Sequence, residues 1–452
     1  MNNYFKYLSF IFPLPFLINF FLNLSNLDHI YPKDLFFAMF CFIFLFYLGF
    51  EINRAFNINS ISLSIAYYLM GAFILNFIFL LIYANDFSFK NFLIVYNIFV
   101  VFLITKKTHN IKISIFLILT LLAVRILMNI YGNNFFEYQI LNTDVVEFWL
   151  PMTETIFDNS LYFAINNNII PGYSLMINYI FSFLNFLLHG DLVFLNSRVI
   201  PNIFFYLNLL LICEVRIKPI FKFNLILIYS SILLNSDWLS YLFINSYMGE
   251  VITNYLFSVF LLNAFQNEEA RKSKLFFFFV GFLYFLKPFT SILFIAIPLY
   301  LIIKNNKNYY VALSIFGILA NYLYGFTNSF NLRTEQTRSP YINIFLDNSE
   351  KLFDFYFTNI KLIFLNEILI DKVLTLFLII YLFSKLYNFK ISDNLNLMTL
   401  TLLLNTFLVI YLYSTIWKNI ELGSAYRYIF SFINVFFIDF SLTLQKFNNS
   451  KI

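Results

Sequence analysis

The feature that most constrains this chain is a succession of long apolar stretches separated by short polar turns. A membrane-spanning helix needs about 20 largely apolar residues, with a range of roughly 17–25. Runs of this kind occur at 7–24, 35–50, 61–83, 91–105, 111–131, 199–213, 221–236, 251–265, 274–286, 289–303, 309–324, 372–386, 395–413 and 426–444. In lipid a backbone amide has no water to bond, and leaving one unpaired costs several kcal/mol. Every run is therefore expected to be helical. The expected fold is all-α: a polytopic transmembrane bundle of about 13–15 spans, with further helices lying on its outer face.

Composition agrees. The 452 residues are 61% hydrophobic and 12% charged, with a mean hydropathy of +0.76, whereas soluble domains carry about 25% charged residues. So few charges could not cover a globular surface of this size. The net charge of +5 is spread over short loops, which reads as a topology signal and not as a nucleic-acid footprint. Cys41 and Cys213 both lie inside apolar runs, so no disulfide framework is expected. His29, His109 and His189 are scattered, and no His/Cys/carboxylate spacing suggests a metal. Gly-rich phosphate loops and G-x-S-x-G elbows are absent from the sequence. Tyr7–Leu24 resembles a signal anchor without a cleavage site after it, and is expected to be retained. Phe, Ile, Leu, Asn and Lys are heavily used, a bias of the kind an AT-rich genome imposes, so no single Phe or Asn is informative alone.

Lys6, Arg54, Lys106, Lys107 and Lys112 fall on one side of the expected bundle. Arg216, Lys218, Lys222, Arg271, Lys272, Lys274, Lys304, Lys307, Lys385, Lys390, Lys446 and Lys451 should share it. Excess Lys and Arg mark the cytoplasmic side. The longer polar segments 132–172, 237–250, 325–371 and 414–427 then all face outward. This parity requires 173–188, which is apolar enough to span, to be a juxtamembrane or re-entrant helix instead. Segment 325–371 is mixed polar and aromatic, and is expected to hold surface-lying helices.

Four stretches could carry chemistry. Asn142–Leu175 follows a span on the outer face and contains Asp144 and Glu147. A carboxylate just outside the hydrocarbon can work on a lipid head group while the tail stays in the membrane. Sugar transfer from a polyprenyl phosphate needs such a group to take the acceptor proton, and cations to stabilise the departing phosphate. The alternative is structural: Asp144 with Glu147 three residues later has the shape of a capping box. Ser236–Glu250 carries Asp237 and Glu250, which could equally be solvated loop carboxylates. Gly281–Ser291 places Lys287-Pro288 between apolar stretches. A lysine there must snorkel to the head groups or meet an anion. In Glu421–Ser431, Arg427 opens the last run. Its guanidinium suits phosphate, and it suits an interfacial anchor as well.

The order of these elements resembles the GT-C glycosyltransferases, and most closely the bacterial branch with dolichyl-phosphate-mannose-type and aminoarabinose-type transferases. The acidic motif with a following aromatic looks like Asp144 with Phe148 and Trp149, and the entry to the next helix like Pro171-Gly172-Tyr173-Ser174. The Lys-containing turn looks like Leu286-Lys287-Pro288-Phe289, and the late Arg-Tyr pair like Arg427-Tyr428. The likeness covers roughly residues 111–444, which would form the catalytic module. Residues 1–110 would be accessory helices and 445–452 a cytoplasmic tail. The chain departs from the family in three ways. Val145 follows Asp144 where many members have Asp-Glu, Pro-Gly stands for Pro-Pro, and about five spans precede the acidic loop where members usually have one. The resemblance implies Asp144 as general base, with Glu147 the alternative. It implies Lys287 and Arg427 at the donor phosphate, Tyr428 beside them as a substrate-binding residue, and Asp237 or Glu250 orienting the acceptor. The expected reaction is inverting transfer, without metal or cofactor, from a polyprenyl-phosphate sugar to a cell-envelope glycan, lipid or protein. It would take place on the outer side of the plasma membrane. The alternatives are a flippase of lipid-linked oligosaccharide and a polysaccharide polymerase or ligase.

Overall fold

A computed structural model describes residues 11, 32–83, 87–135, 150–166, 175–190, 199–235, 249–286, 375–376, 379–384 and 433–449. Among them every regular element is a helix. In chain order these are α1 Pro32–Phe56, α2 Ile61–Tyr83, α3 Phe89–Thr108, α4 Ile111–Phe135, α5 Leu150–Asp158, α6 Leu161–Asn166 and α7 Leu175–Leu188. There follow α8 Val199–Glu214, α9 Pro219–Asn235, α10 Gly249–Gln266, α11 Glu268–Lys272, α12 Lys274–Phe282 and α13 Ile433–Asn449. The 3-10 turn Leu283–Phe285 extends α12.

Four helices, within α1 to α4, are long and apolar enough to cross a membrane. The shorter α7, α8 and α9 are apolar too. The four long helices divide by environment. The apolar windows of α1 and α2 are 67% and 56% buried, those of α3 and α4 only 22% and 28%. Hence α1 and α2 lie inside the bundle against α8 and α10, while α3 and α4 turn Ile98, Phe102, Leu119 and Ile126 outward, where lipid is the natural solvent. The first helices and those after residue 199 thus share one core.

One end of this bundle gathers the turns 57–60, 215–218 and 266–273. The Glu214 carboxylate accepts from the Ile61 N–H at 2.6 Å, the Ser62 N–H at 3.1 Å and the Ser60 hydroxyl at 2.8 Å. Asn267 donates to the Ile58 carbonyl at 2.9 Å, the Arg216 N–H to Gln266 Oε1 at 3.1 Å, and Asn59 to Glu269. The side-chain oxygens of Asn267 and Ser273 cap α11 and α12, as short polar residues do at helix starts. Arg54, Arg216, Lys218, Arg271, Lys272 and Lys274 belong to these turns and their borders. Because α1 and α4 are antiparallel, with Tyr47 edge-on to Phe116 at 4.7 Å and Cys41 Sγ 3.9 Å from Met128 Sδ, the turn carrying Lys106, Lys107 and Lys112 lies at this end as well. We call it the basic end.

The opposite, far end carries α5 and α6. The N–H of Phe89, at the start of α3, donates to the Asn159 carbonyl at 3.1 Å, and Lys90 sits 4.4 Å from the centre of the Phe157 ring. The 14 residues of α7 measure about 21 Å, short of the roughly 30 Å hydrocarbon layer. Its Tyr179 hydroxyl donates to the Ala72 carbonyl at 3.2 Å and accepts from Asn76 at 3.2 Å. The Phe186 carbonyl, near its C-terminus, accepts from Arg125 at 2.6 Å. Ala72, Asn76 and Arg125 all stand roughly 16–23 Å along their helices from the basic end. These bonds, with Phe183 packed 5.2 Å from Tyr68, tie α7 to α2 and α4 from their far half to their middle. The chain then returns through α8 to place Glu214 at the basic end.

Candidate functional site

Of the residues singled out in the sequence, Glu250 falls within the described residues. Asp144, Glu147, Asp237, Lys287, Arg427 and Tyr428 lie outside them, as do the segments 136–149 and 325–371. The elements flanking the acidic stretch are α4 and α5, which end and begin at the far end. The chain reaches Leu286, next to Lys287, after Phe285 has packed against Phe73 and Phe77 in the far half of α2, at 5.4 and 5.0 Å.

Glu250 is no solvated loop carboxylate. It occupies the first turn of α10, where a helix N-terminus favours negative charge, and it is 0% exposed. Thr253 closes the same turn by donating to the Gly249 carbonyl at 2.9 Å. Positions four apart share a helix face, so Glu250, Asn254 and Ser258 form one buried polar stripe running down α10 from the far end.

That stripe meets α8, α9 and α13. Asn254 Oδ1 accepts from the Asn434 N–H at 3.1 Å, and Asn434 Nδ2 donates to Asn208 Oδ1 at 2.7 Å. The Tyr229 hydroxyl of α9 lies beside Asn208, and its ring is edge-on to Phe437 at 4.9 Å. A turn and a half along α13, Asp439 accepts from the Tyr381 hydroxyl at 2.6 Å. Three carboxamides and a phenol from four helices therefore meet below a buried carboxylate. Polar side chains within a membrane bundle face its interior and serve as interhelical glue or as functional groups.

Nearer the far surface, α5 docks on α7. Thr153 donates to Asn178 Oδ1 at 3.1 Å, and Ser182 to the Thr153 carbonyl at 2.9 Å. The outward side of α5 exposes Glu154 and Asp158. Partial burial, and then the neighbouring Asp158, raise the Glu154 carboxyl above its ordinary value.

Sequence reasoning missed Asn208, Tyr229, Asn254 and Asn434. The one available signal was the Glu250–Asn254–Ser258 spacing, because asparagine is too common in this chain to mark a site. Among the described residues no group of three or more His, Cys, Asp or Glu could hold a metal ion.

Fold and site together define a helical bundle built for a membrane, with a polar layer buried between helices. No known protein family, curated protein or solved structure matches the chain.

Proposed function

We propose that the protein is a glycosyltransferase moving a sugar from a polyprenyl-phosphate donor to a cell-envelope acceptor at the far end of the bundle, outside the cytoplasm. Asp144 takes the acceptor proton as the acceptor attacks the anomeric carbon. Lys287 and Arg427 hold the departing phosphate, and Glu250 orients the acceptor. The observation that carries this reading is the polarity of the bundle: among the described helix ends and turns, Arg54, Lys106, Lys107, Lys112, Arg216, Lys218, Lys222, Arg271, Lys272 and Lys274 belong to one end, against Lys33 and Lys90 at the other, where α5, α6 and the start of α10 stand. A positive-inside membrane protein with that arrangement turns its short surface helices, and the end of the bundle that buries Glu250, toward the outer leaflet.

The test is Asp144→Asn. Membrane levels of the variant should be normal and sugar transfer should fall at least about a hundredfold, as for loss of a general base. Full activity in both Asp144→Asn and Glu147→Gln would remove the enzyme assignment from this loop.

A second reading, a flippase of lipid-linked oligosaccharide, has one observation in its favour. The Asn208–Asn254–Asn434 layer lies inside the bundle, where transporters place their substrate groups. Liposomes would separate the two readings, since a flippase carrying Asp144→Asn should still translocate lipid-linked sugar.

A further inference from the structure

The Asn254 carboxamide has a fixed orientation, because its Oδ1 accepts a main-chain N–H from Asn434. Among the described residues its Nδ2 is then left without an acceptor. Asn208 and Asn434 share one hydrogen bond, which leaves Asn208 Nδ2 and Asn434 Oδ1 over. Rotating both amides would exchange these roles and still leave one donor group and one acceptor. Among the described residues the Tyr229 hydroxyl, beside Asn208, completes no well-aligned bond, and the Ser258 hydroxyl, one turn below Asn254, has none. All five side chains are at most 1% exposed.

Such a concentration of orphaned donors and acceptors is foreign to a dry interface, where buried polar groups find partners. A buried water takes about two to four polar partners, and the mixture of amide donors, a carbonyl oxygen and hydroxyls supplies both kinds. The stripe begins near the far end. Asn254 and Ser258 lie about 7 and 14 Å down α10 from Gly249, and Glu250 stands between Gly249 and Asn254 on the same face.

We propose that α8, α9, α10 and α13 enclose a hydrated seam: a file of bound water running from Glu250 at the far end, past Asn254, Asn434, Asn208 and Tyr229, to Ser258 in the interior of the bundle. Water is the ligand. The seam brings it to mid-depth in a bundle otherwise filled with Phe, Leu and Ile, and it does so under either functional reading.

Hydroxyl-radical footprinting by X-ray radiolysis tests this on the unaltered protein, because radicals born from internal water oxidise only the side chains beside it. Tyr179 and Tyr255 are internal controls. Both are 0% exposed like Tyr229, but their hydroxyls donate to the main-chain carbonyls of Ala72 and Ser62. Tyr229 should be oxidised several-fold faster than either control, and Asn254→Leu should bring its rate down to theirs. A Tyr229 rate equal to the controls in the unaltered protein would overturn the proposal and leave the asparagines as dry interhelical glue. If Asn254→Leu does not fold, the comparison among the three tyrosines decides alone.

Discussion

The carboxylate of Glu214, the last residue of α8, sits across the start of α2 and takes the Ile61 N–H at 2.6 Å. The first N–H groups of a helix have no partner within it, and the helix N-terminus favours a negative charge. Here another helix supplies the cap. Ser60 donates to the same carboxylate through its hydroxyl, accepts the Leu63 N–H at 3.0 Å and is approached by Asn263 at 3.4 Å. The basic end is thereby tied together across α2, α8 and α10.

Glu214→Ala should destabilise the protein by about 2–3 kcal/mol, as for losing a helix cap whose acceptor is charged. Glu214→Gln, which keeps one acceptor oxygen, should cost less. Thermal unfolding in detergent reads both, and equal melting temperatures for Glu214→Ala and the parent would show that the cap contributes nothing.

Arg125 and Gly190 make a second structural prediction. Gly190 follows α7 at φ +103°, in the left-handed region, and a Cβ there would lie 3.1 Å from Arg125 Nη2. Arg125 itself donates to the Phe186 carbonyl at the end of α7 and sits 5.4 Å from the Phe186 ring centre. Gly190→Ala should cost about 1–2 kcal/mol from backbone strain, and more if the arginine is displaced. A variant as stable as the parent in chemical or thermal unfolding would contradict this geometry.

Glu154 sets a pH dependence. Burial, and then Asp158 one turn on, raise its carboxyl above the ordinary 4.5. The folded chain therefore holds this proton more tightly than the unfolded chain. The stabilisation from protonation is complete below the ordinary value and is lost as pH rises through the folded one. Glu154→Gln should match the parent in stability near pH 4 and exceed it at pH 8. Unfolding curves at the two pH values measure the gap, and a gap that opens toward acid would refute the assigned cause.

Much of the architecture could be read in advance for a reason specific to membranes. Lipid demands about 20 apolar residues per crossing, so the runs 61–83 and 199–213 correspond to α2 and α8 within a residue. The run 35–50 falls short of α1, because apolarity stops at Glu51 and Arg54 while the helix runs on through both to Phe56. Parity of the basic turns leads to the expectation of a non-crossing 173–188, and α7 covers 14 of these residues, bonded to Ala72 and Asn76 of α2 and to Arg125 of α4. The polar layer was not legible, since Asn208, Asn254 and Asn434 are far apart in sequence and indistinguishable from the many asparagines that composition alone explains. Even Glu250, singled out for its position next to a span, was open to reading as a solvated loop residue until its helix and its burial were seen.

The proposed chemistry requires the far end and the basic end to lie on opposite sides of the membrane, with the far end outside. Both ends can be read together by impermeant thiol labelling of single-cysteine proteins in intact cells, after Cys41 and Cys213 are replaced by alanine. Asn159→Cys reports the exposed turn between α5 and α6, and Glu268→Cys the exposed start of α11. Asn159→Cys should label in intact cells and Glu268→Cys only after lysis. Labelling of both from the same side, or the reverse order, would contradict the account and place the proposed site in the wrong compartment.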